Sequence, residues 1–173
     1  MKSMKRLSVL LLAAVLILTG CGPKPQPTEP ETSTEPVKPM VSMYDLRKAM
    51  EAAEPDLPEM LSVSSSDEDA ANLFAYLSDL DYEKVEGFFL SYAAQGEAYE
   101  LAVVALKDPA DLPALEASLR AHQQDRVLLY KNYAADQVAM AEAAKVVSRG
   151  RYGALVMCAH PEAVLEVFEK GVD

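Results

Sequence analysis

Few residues in this chain are suited to nucleophilic or metal chemistry: two histidines, His122 and His160, and two cysteines, Cys21 and Cys158. Nucleophilic catalysis needs a Ser, Cys or Thr beside a base, usually His, and a third group to orient that base. No G-x-S-x-G turn occurs. Cys158 precedes His160 by two residues, so the two would share one face of a strand, but Pro161 ends the strand there. The expected arrangement is a buried strand cysteine beside a loop histidine, not a catalytic pair. His122 lies at helical spacing from Leu115 and Leu119, and Arg126 and Tyr130 continue the stripe. Packing is its plainer role; the functional one pairs it with Arg126 or Tyr130 at the rim of a groove. Structural zinc takes four ligands and one histidine cannot hold a metal alone, so no metal and no cofactor is expected.

Carboxylates are the larger chemical resource. Asp79, Asp81 and Glu83 alternate as the first ligands of a calcium loop do. That loop also needs Gly at its sixth position and Glu at its twelfth, where this chain has Lys84 and Leu90. The ligand-binding candidates are therefore His122, Tyr130, Asp79, Asp81 and Glu83, with no catalytic residue assigned. A paired-carboxylate hydrolase would need two acids facing each other across a cleft, and spacing alone does not select them. The chain has eight Tyr, four Phe and no Trp, which leaves Tyr82, Tyr92 and Tyr99 as the rings for any sugar contact. Most tyrosines should be half-buried with wet hydroxyls.

These residues need elements to position them. Ser42 caps a helix with Met43, Leu46, Met50 and Ala53 on one stripe, stopped by Pro55 and Pro58. A second helix is expected from Ser66, with Asp69 completing a capping-box-like pair and Ala70, Leu73, Phe74 and Leu77 as its apolar face. Val85 to Ala93 and Tyr99 to Leu106 are rich in aromatic and branched residues around a turn at Ala94 to Glu97, a β-hairpin. The unbroken run Val103 to Leu106 reads as a central strand covered on both faces. Asp108 and Pro109 open a long helix reaching about Tyr133, with an i,i+4 pair from Glu116 to Arg120. A short helical piece at Gln137 to Glu142 follows. A second hairpin then turns at Arg149-Gly150, and Pro161 to Lys170 forms a last helix with Val164, Leu165 and Phe168 inward. The expected class is α+β: a small, mainly antiparallel sheet of about four strands in two hairpins, with helices packed on it in the order α-α-β-β-α-β-β-α.

Ahead of this domain the chain changes character. Lys2, Lys5 and Arg6 precede Leu7 to Leu18, in which eleven of twelve residues are apolar, too short a run to span ~30 Å of hydrocarbon. A basic start, a short apolar core and small residues beyond it are the marks of an export signal, residues 1–20. Leu18-Thr19-Gly20-Cys21 resembles the lipobox of bacterial lipoproteins. That resemblance implies a diacylglyceryl group on the Cys21 thiol and a mature chain that starts there. Residues 21–40 hold six of the eleven prolines and read as an extended, disordered tether reaching roughly 55 Å at ~3.1 Å per residue. One acidic domain over residues 41–173 follows.

Beyond the lipobox and tether, that domain is similar to a family of bacterial lipoproteins, domain-of-unknown-function family 4358. The residues that carry the resemblance are Leu57-Pro58-Glu59-Met60, the hairpin into Leu101 to Lys107, the long helix ending at Tyr133, and Val146-Val147-x-x-Gly150-x-Tyr152. The resemblance implies a lipid-anchored extracytoplasmic protein of Gram-positive bacteria and brings no activity, substrate or catalytic residue with it.

Charge narrows the partners. The whole chain carries −11, and residues 41–173 hold 11 Lys and Arg against 24 Asp and Glu, a balance of −13. Phosphate backbones are held by clustered Lys and Arg, so nucleic acid is excluded. Anionic lipid and wall polymers should repel the domain, which gives the tether a use. The expectation is a non-enzymatic binding or accessory module, lipid-anchored through Cys21 on the extracytoplasmic face of the cell membrane. Its partner would be an unknown protein or small ligand, neutral or cationic. The alternatives are a small cell-envelope hydrolase using carboxylates or His122, and a sensor of divalent cations or cationic peptides.

Overall fold

The structure is a computed structural model that describes residues 40–173. The export segment, Cys21 and the tether up to residue 39 lie outside the described residues. α1 (Met43–Ala53) starts where Ser42 Oγ accepts the Asp45 N–H, and it buries Met43, Leu46 and Met50. β1 (Met60–Ser64) and the short α2 (Ala70–Phe74) follow. β2 (Val85–Ala93) and β3 (Glu100–Leu106) form the first hairpin, and Gly96 supplies the positive φ of its turn. Asp108 accepts the Ala110 N–H and opens a short 3₁₀ turn leading into α3 (Leu112–Tyr133). α4 (Val138–Ala143) precedes the second hairpin, β4 (Lys145–Arg149) and β5 (Tyr152–Met157), which turns at Gly150. α5 (Pro161–Val172) ends the chain.

The five strands make one antiparallel sheet in the order β1-β2-β3-β5-β4. β3 is central and buried along its length, as its apolar run requires, because both faces of the sheet are covered. Leu101, Val103, Ala105, Phe89, Ala154 and Val156 pack under α1 and α5. On the opposite face Ala102, Val104, Leu106, Phe88 and Leu90 pack with Phe74, Leu77, Leu115 and Leu119 of the α2 and α3 side. α3 presses closely on β5: a Cβ at Gly153 would stand 2.7 Å from Leu115 Cδ2.

The α+β class and element order agree with the sequence, with two corrections. The sheet has five strands instead of four, the added one being β1. The expected capping box at Ser66 and Asp69 does not form. Asp67 is drawn back instead to Ser64, whose N–H donates to its carboxylate at 2.6 Å, so this stretch is a turn and the helix begins only at Ala70. The Asp69 carboxylate accepts the Asn72 side-chain amide and no helix N–H, although its carbonyl accepts the Leu73 N–H. No helix among the described residues is long and apolar enough to cross a membrane.

Candidate functional site: a cleft between α2 and α3

Strand alternation sends Val63, Leu90 and Tyr92 to the same face of the β1–β2 end of the sheet. α2 is five residues long and covers only part of that face. Between α2 and α3 it is left open as a cleft of about 430 Å³, lined by Val63, Leu73, Tyr76, Leu90 and Tyr92 and by three charged or titratable residues, Glu100, His122 and Arg126.

The α3 stripe explains how those three meet. Leu115 and Leu119 are fully buried on the sheet, and the next turns carry His122, Arg126 and Tyr130 along the same side. His122 Nε2 lies 2.5 Å from Glu100 Oε1, at the start of β3. Arg126 Nε lies 3.4 Å from Glu100 Oε2, an ion-pair contact without hydrogen-bond geometry, so this buried nitrogen has no acceptor. Arg126 Nη2 donates to Tyr130 Oη at 2.7 Å, and the Tyr130 hydroxyl donates to the Glu97 carbonyl at 3.0 Å. Burial holds the Tyr130 hydroxyl above its ordinary value, with Arg126 pulling it down and Glu100 and Glu97 pushing it up. Glu100 itself is 3 % exposed, a carboxylate buried between one histidine and one arginine.

The helical spacing places His122 and Arg126 together on the cleft lining, but Tyr130 lies outside it, buried with Ala98, Ala141 and Met157 and reached only through Arg126. Spacing does not predict Glu100, the partner of His122 and Arg126: the sequence shows it only as one acid at the head of an apolar strand. Tyr92 lines the cleft, whereas Tyr82 packs edge-on against Phe88. Asp79, Asp81 and Glu83 lie outside the cleft lining. Asp81 accepts the Glu83 N–H and caps a 3₁₀ turn, and the Asp79 N–H donates to Ser118 Oγ at 3.0 Å.

A second cluster forms on the other side of the sheet, where the end of α1 meets the start of α5. Glu54, whose side chain is wholly buried, accepts the His160 N–H at 2.7 Å, His160 Nδ1 at 2.8 Å, the Asp56 N–H at 3.1 Å and the Cys158 thiol. One ligand-type atom from each of Glu54, Asp56 and His160 lies within 4.8 Å of the others, a metal-like grouping of three that the sequence did not reveal. With four donors already on Glu54, the cluster serves as a joint between α1, β5 and α5. Burial, reinforced by Glu54, pushes the Cys158 thiol up to about 12. The thiol therefore stays protonated at neutral pH; Cys158 is buried as expected, but it sits one residue past the end of β5 and not on the strand.

The joint should leave a pH signature. Burial raises the Glu54 carboxyl, but hydrogen bonds from His160, Cys158 and Asp56 outweigh it and hold the group below 4.5. Its stabilising effect is present above that value and is lost as pH falls through the folded pKa. The Glu54 hydrogen bond holds His160 above 6.5, aided by Asp56 and Glu162. That effect is full below 6.5 and is lost as pH rises through the raised value. Thermal unfolding followed across pH should therefore show the joint strongest between 4.5 and 6.5. His160→Gln should flatten the decline above 6.5 and, by removing the ring bond that helps hold Glu54 down, also soften the acid limb; an unchanged alkaline limb would refute the pairing.

Residues 58–158, more than half of the chain, match the family Domain of unknown function (DUF4358). No curated protein and no solved structure matches. The matched segment contains every residue that lines the cleft, while Glu54 and His160 of the joint fall outside it. The chain therefore belongs to the DUF4358 family.

Proposed function

We propose that this chain is a lipid-anchored, extracytoplasmic binding module without catalytic activity of its own, carrying its lipid on Cys21 and its ligand in the cleft between α2 and α3. The cleft carries the reading: about 430 Å³ of mostly apolar lining with a few convergent polar groups has the make-up of a ligand site. Its lining residues include no Ser, Thr or Cys to act as a nucleophile. They include a single carboxylate, where a paired-carboxylate hydrolase uses two. The excess of acid over residues 41–173 favours neutral or cationic partners and a tether that keeps the domain off anionic lipid.

One observation favours the hydrolase alternative. His122 and Glu100, 2.5 Å apart in the cleft, have the geometry of a general base and its orienting carboxylate. Full-length protein tests both readings. In cell fractions the wild type should sediment with membranes and Cys21→Ala should not. In detergent, the neutral apolar dye N-phenylnaphthylamine should bind saturably, and Tyr76→Glu should weaken it by about tenfold or more. Membrane retention of Cys21→Ala would remove the anchor, and failure of the dye to bind would remove the cleft. Turnover of wall peptides that disappears in His122→Ala would replace the binding reading with the hydrolase.

A further inference from the structure

β1 and β4 are the two edges of the sheet, and they are finished differently. The Ala94 N–H donates to the Glu59 carbonyl at 2.8 Å and the Ser65 N–H to the Phe88 carbonyl at 3.0 Å, which fixes the parity of the β1–β2 ladder. Glu59, Leu61, Val63 and Ser65 turn their backbone groups toward β2; Met60, Ser62 and Ser64 turn theirs outward. Ser64 is closed off by Asp67, which accepts its N–H at 2.6 Å and donates its own N–H to the Ser64 carbonyl at 3.1 Å. Met60 and Ser62 are left with outward N–H and C=O groups that have no partner among the described residues.

The β4 edge is guarded. Arg120 Nη2 donates to the Val146 carbonyl, Ser148 Oγ donates to Glu116, and Lys145 and Arg149 add charge. β1, with the sequence Met60-Leu61-Ser62-Val63-Ser64, has no charge and no proline, the usual devices against pairing with another chain. Its open edge borders the cleft. Leu61 shares a face with Val63, Leu90 and Tyr92 yet is 49 % exposed, and Tyr76 across the opening is 74 % exposed.

Resting on the binding reading above, we propose that the occupant of the cleft is an extended peptide segment of a partner protein, added to β1 as a sixth strand. Its backbone bonds to Met60 and Ser62, and its residues opposite Leu61 and Val63 send their side chains into the cleft. Asp67 ends the available edge at Ser64, so the added strand is short, about five residues. Glu59, Asp67 and Glu68 flank the edge within a domain of −13, so the segment has apolar residues at alternate positions and Lys or Arg at its ends.

The probe is a synthetic peptide alternating valine and threonine between lysine ends, added to full-length protein in detergent. It should bind saturably and protect the Met60 and Ser62 amides from hydrogen exchange. The glutamate-ended version should bind at least about tenfold more weakly, as should a version N-methylated at the amides that face β1. Ser62→Pro deletes an outward N–H and no ladder bond, so it should cost the peptide at least about tenfold while leaving N-phenylnaphthylamine binding unchanged. If Ser62→Pro misfolds, Ser62→Lys guards the same edge without touching the backbone. Dye binding without peptide binding, or peptide binding that leaves the Met60 and Ser62 amides unprotected, overturns the strand and leaves the cleft standing. Loss of dye binding in the wild type would instead remove the cleft reading itself.

Discussion

Phe74→Ala is expected to lower the free energy of unfolding by about 3–5 kcal/mol and to dismantle one wall of the cleft. The first part follows from burial. Phe74 is 1 % exposed, and its ring meets Phe88 edge-on at 5.2 Å and Tyr82 at 5.6 Å between centroids. Each such aromatic pair adds roughly 0.5–1.5 kcal/mol beyond the area it buries. The second part follows from length. A helix of five residues is far below what stands alone in water, so α2 exists only where its side chains are gripped. Leu73 and Tyr76, which line the cleft, sit on the same turn as that anchor. Urea unfolding would measure the first effect and N-phenylnaphthylamine binding the second. Tyr76→Ala, which removes an exposed ring, should weaken the dye at almost no cost in stability. A Phe74→Ala protein that kept both its stability and its dye would show that Leu77 alone holds α2.

The same contrast between local and distant causes decides what could be read from the sequence. α3 and α5 announce themselves through period and proline caps, both hairpins through turn residues, and β3 through an apolar run that only a two-sided core explains. β1 gives no such signal. As an edge strand it alternates Leu61 and Val63 with serines over five residues, too short and too polar to separate from the loops around it. Asp69 looks like half of a capping box, but the neighbouring Asp67 has a better use for its carboxylate at Ser64, and that use depends on where β1 ends. The candidate site divides in the same way. His122, Arg126 and Tyr130 are four residues apart on one helix, so their grouping is local and legible. Glu100 lies 22 residues from His122, and Glu54 lies 106 from His160; only the assembled sheet brings these together. Each buried acid takes polar partners from elements distant in the chain, a fact about packing that spacing does not carry.

Glu100→Leu is expected to cost about 2–3 kcal/mol. Removing one partner of a fully buried ion pair costs about 3–5 kcal/mol, because the other charge stays behind without compensation. Here the survivor is Arg126, whose side chain remains 28 % exposed and keeps part of its hydration, so the figure falls below that range. Glu100→Gln retains an acceptor for His122 and should cost nearer ~1 kcal/mol. The informative variant is the triple replacement Glu100→Leu, His122→Leu, Arg126→Met, which leaves no orphaned charge and should recover most of the loss, since well-packed apolar substitutes for a buried network are often neutral. Urea unfolding of the three proteins measures these differences. If the triple variant is as stable as the wild type yet binds the lysine-ended peptide more weakly, the network is maintained for recognition. A triple variant as unstable as Glu100→Leu alone would show that the cluster holds β3 to α3, and that the polar end of the cleft is a structural fastening beside a purely apolar binding surface.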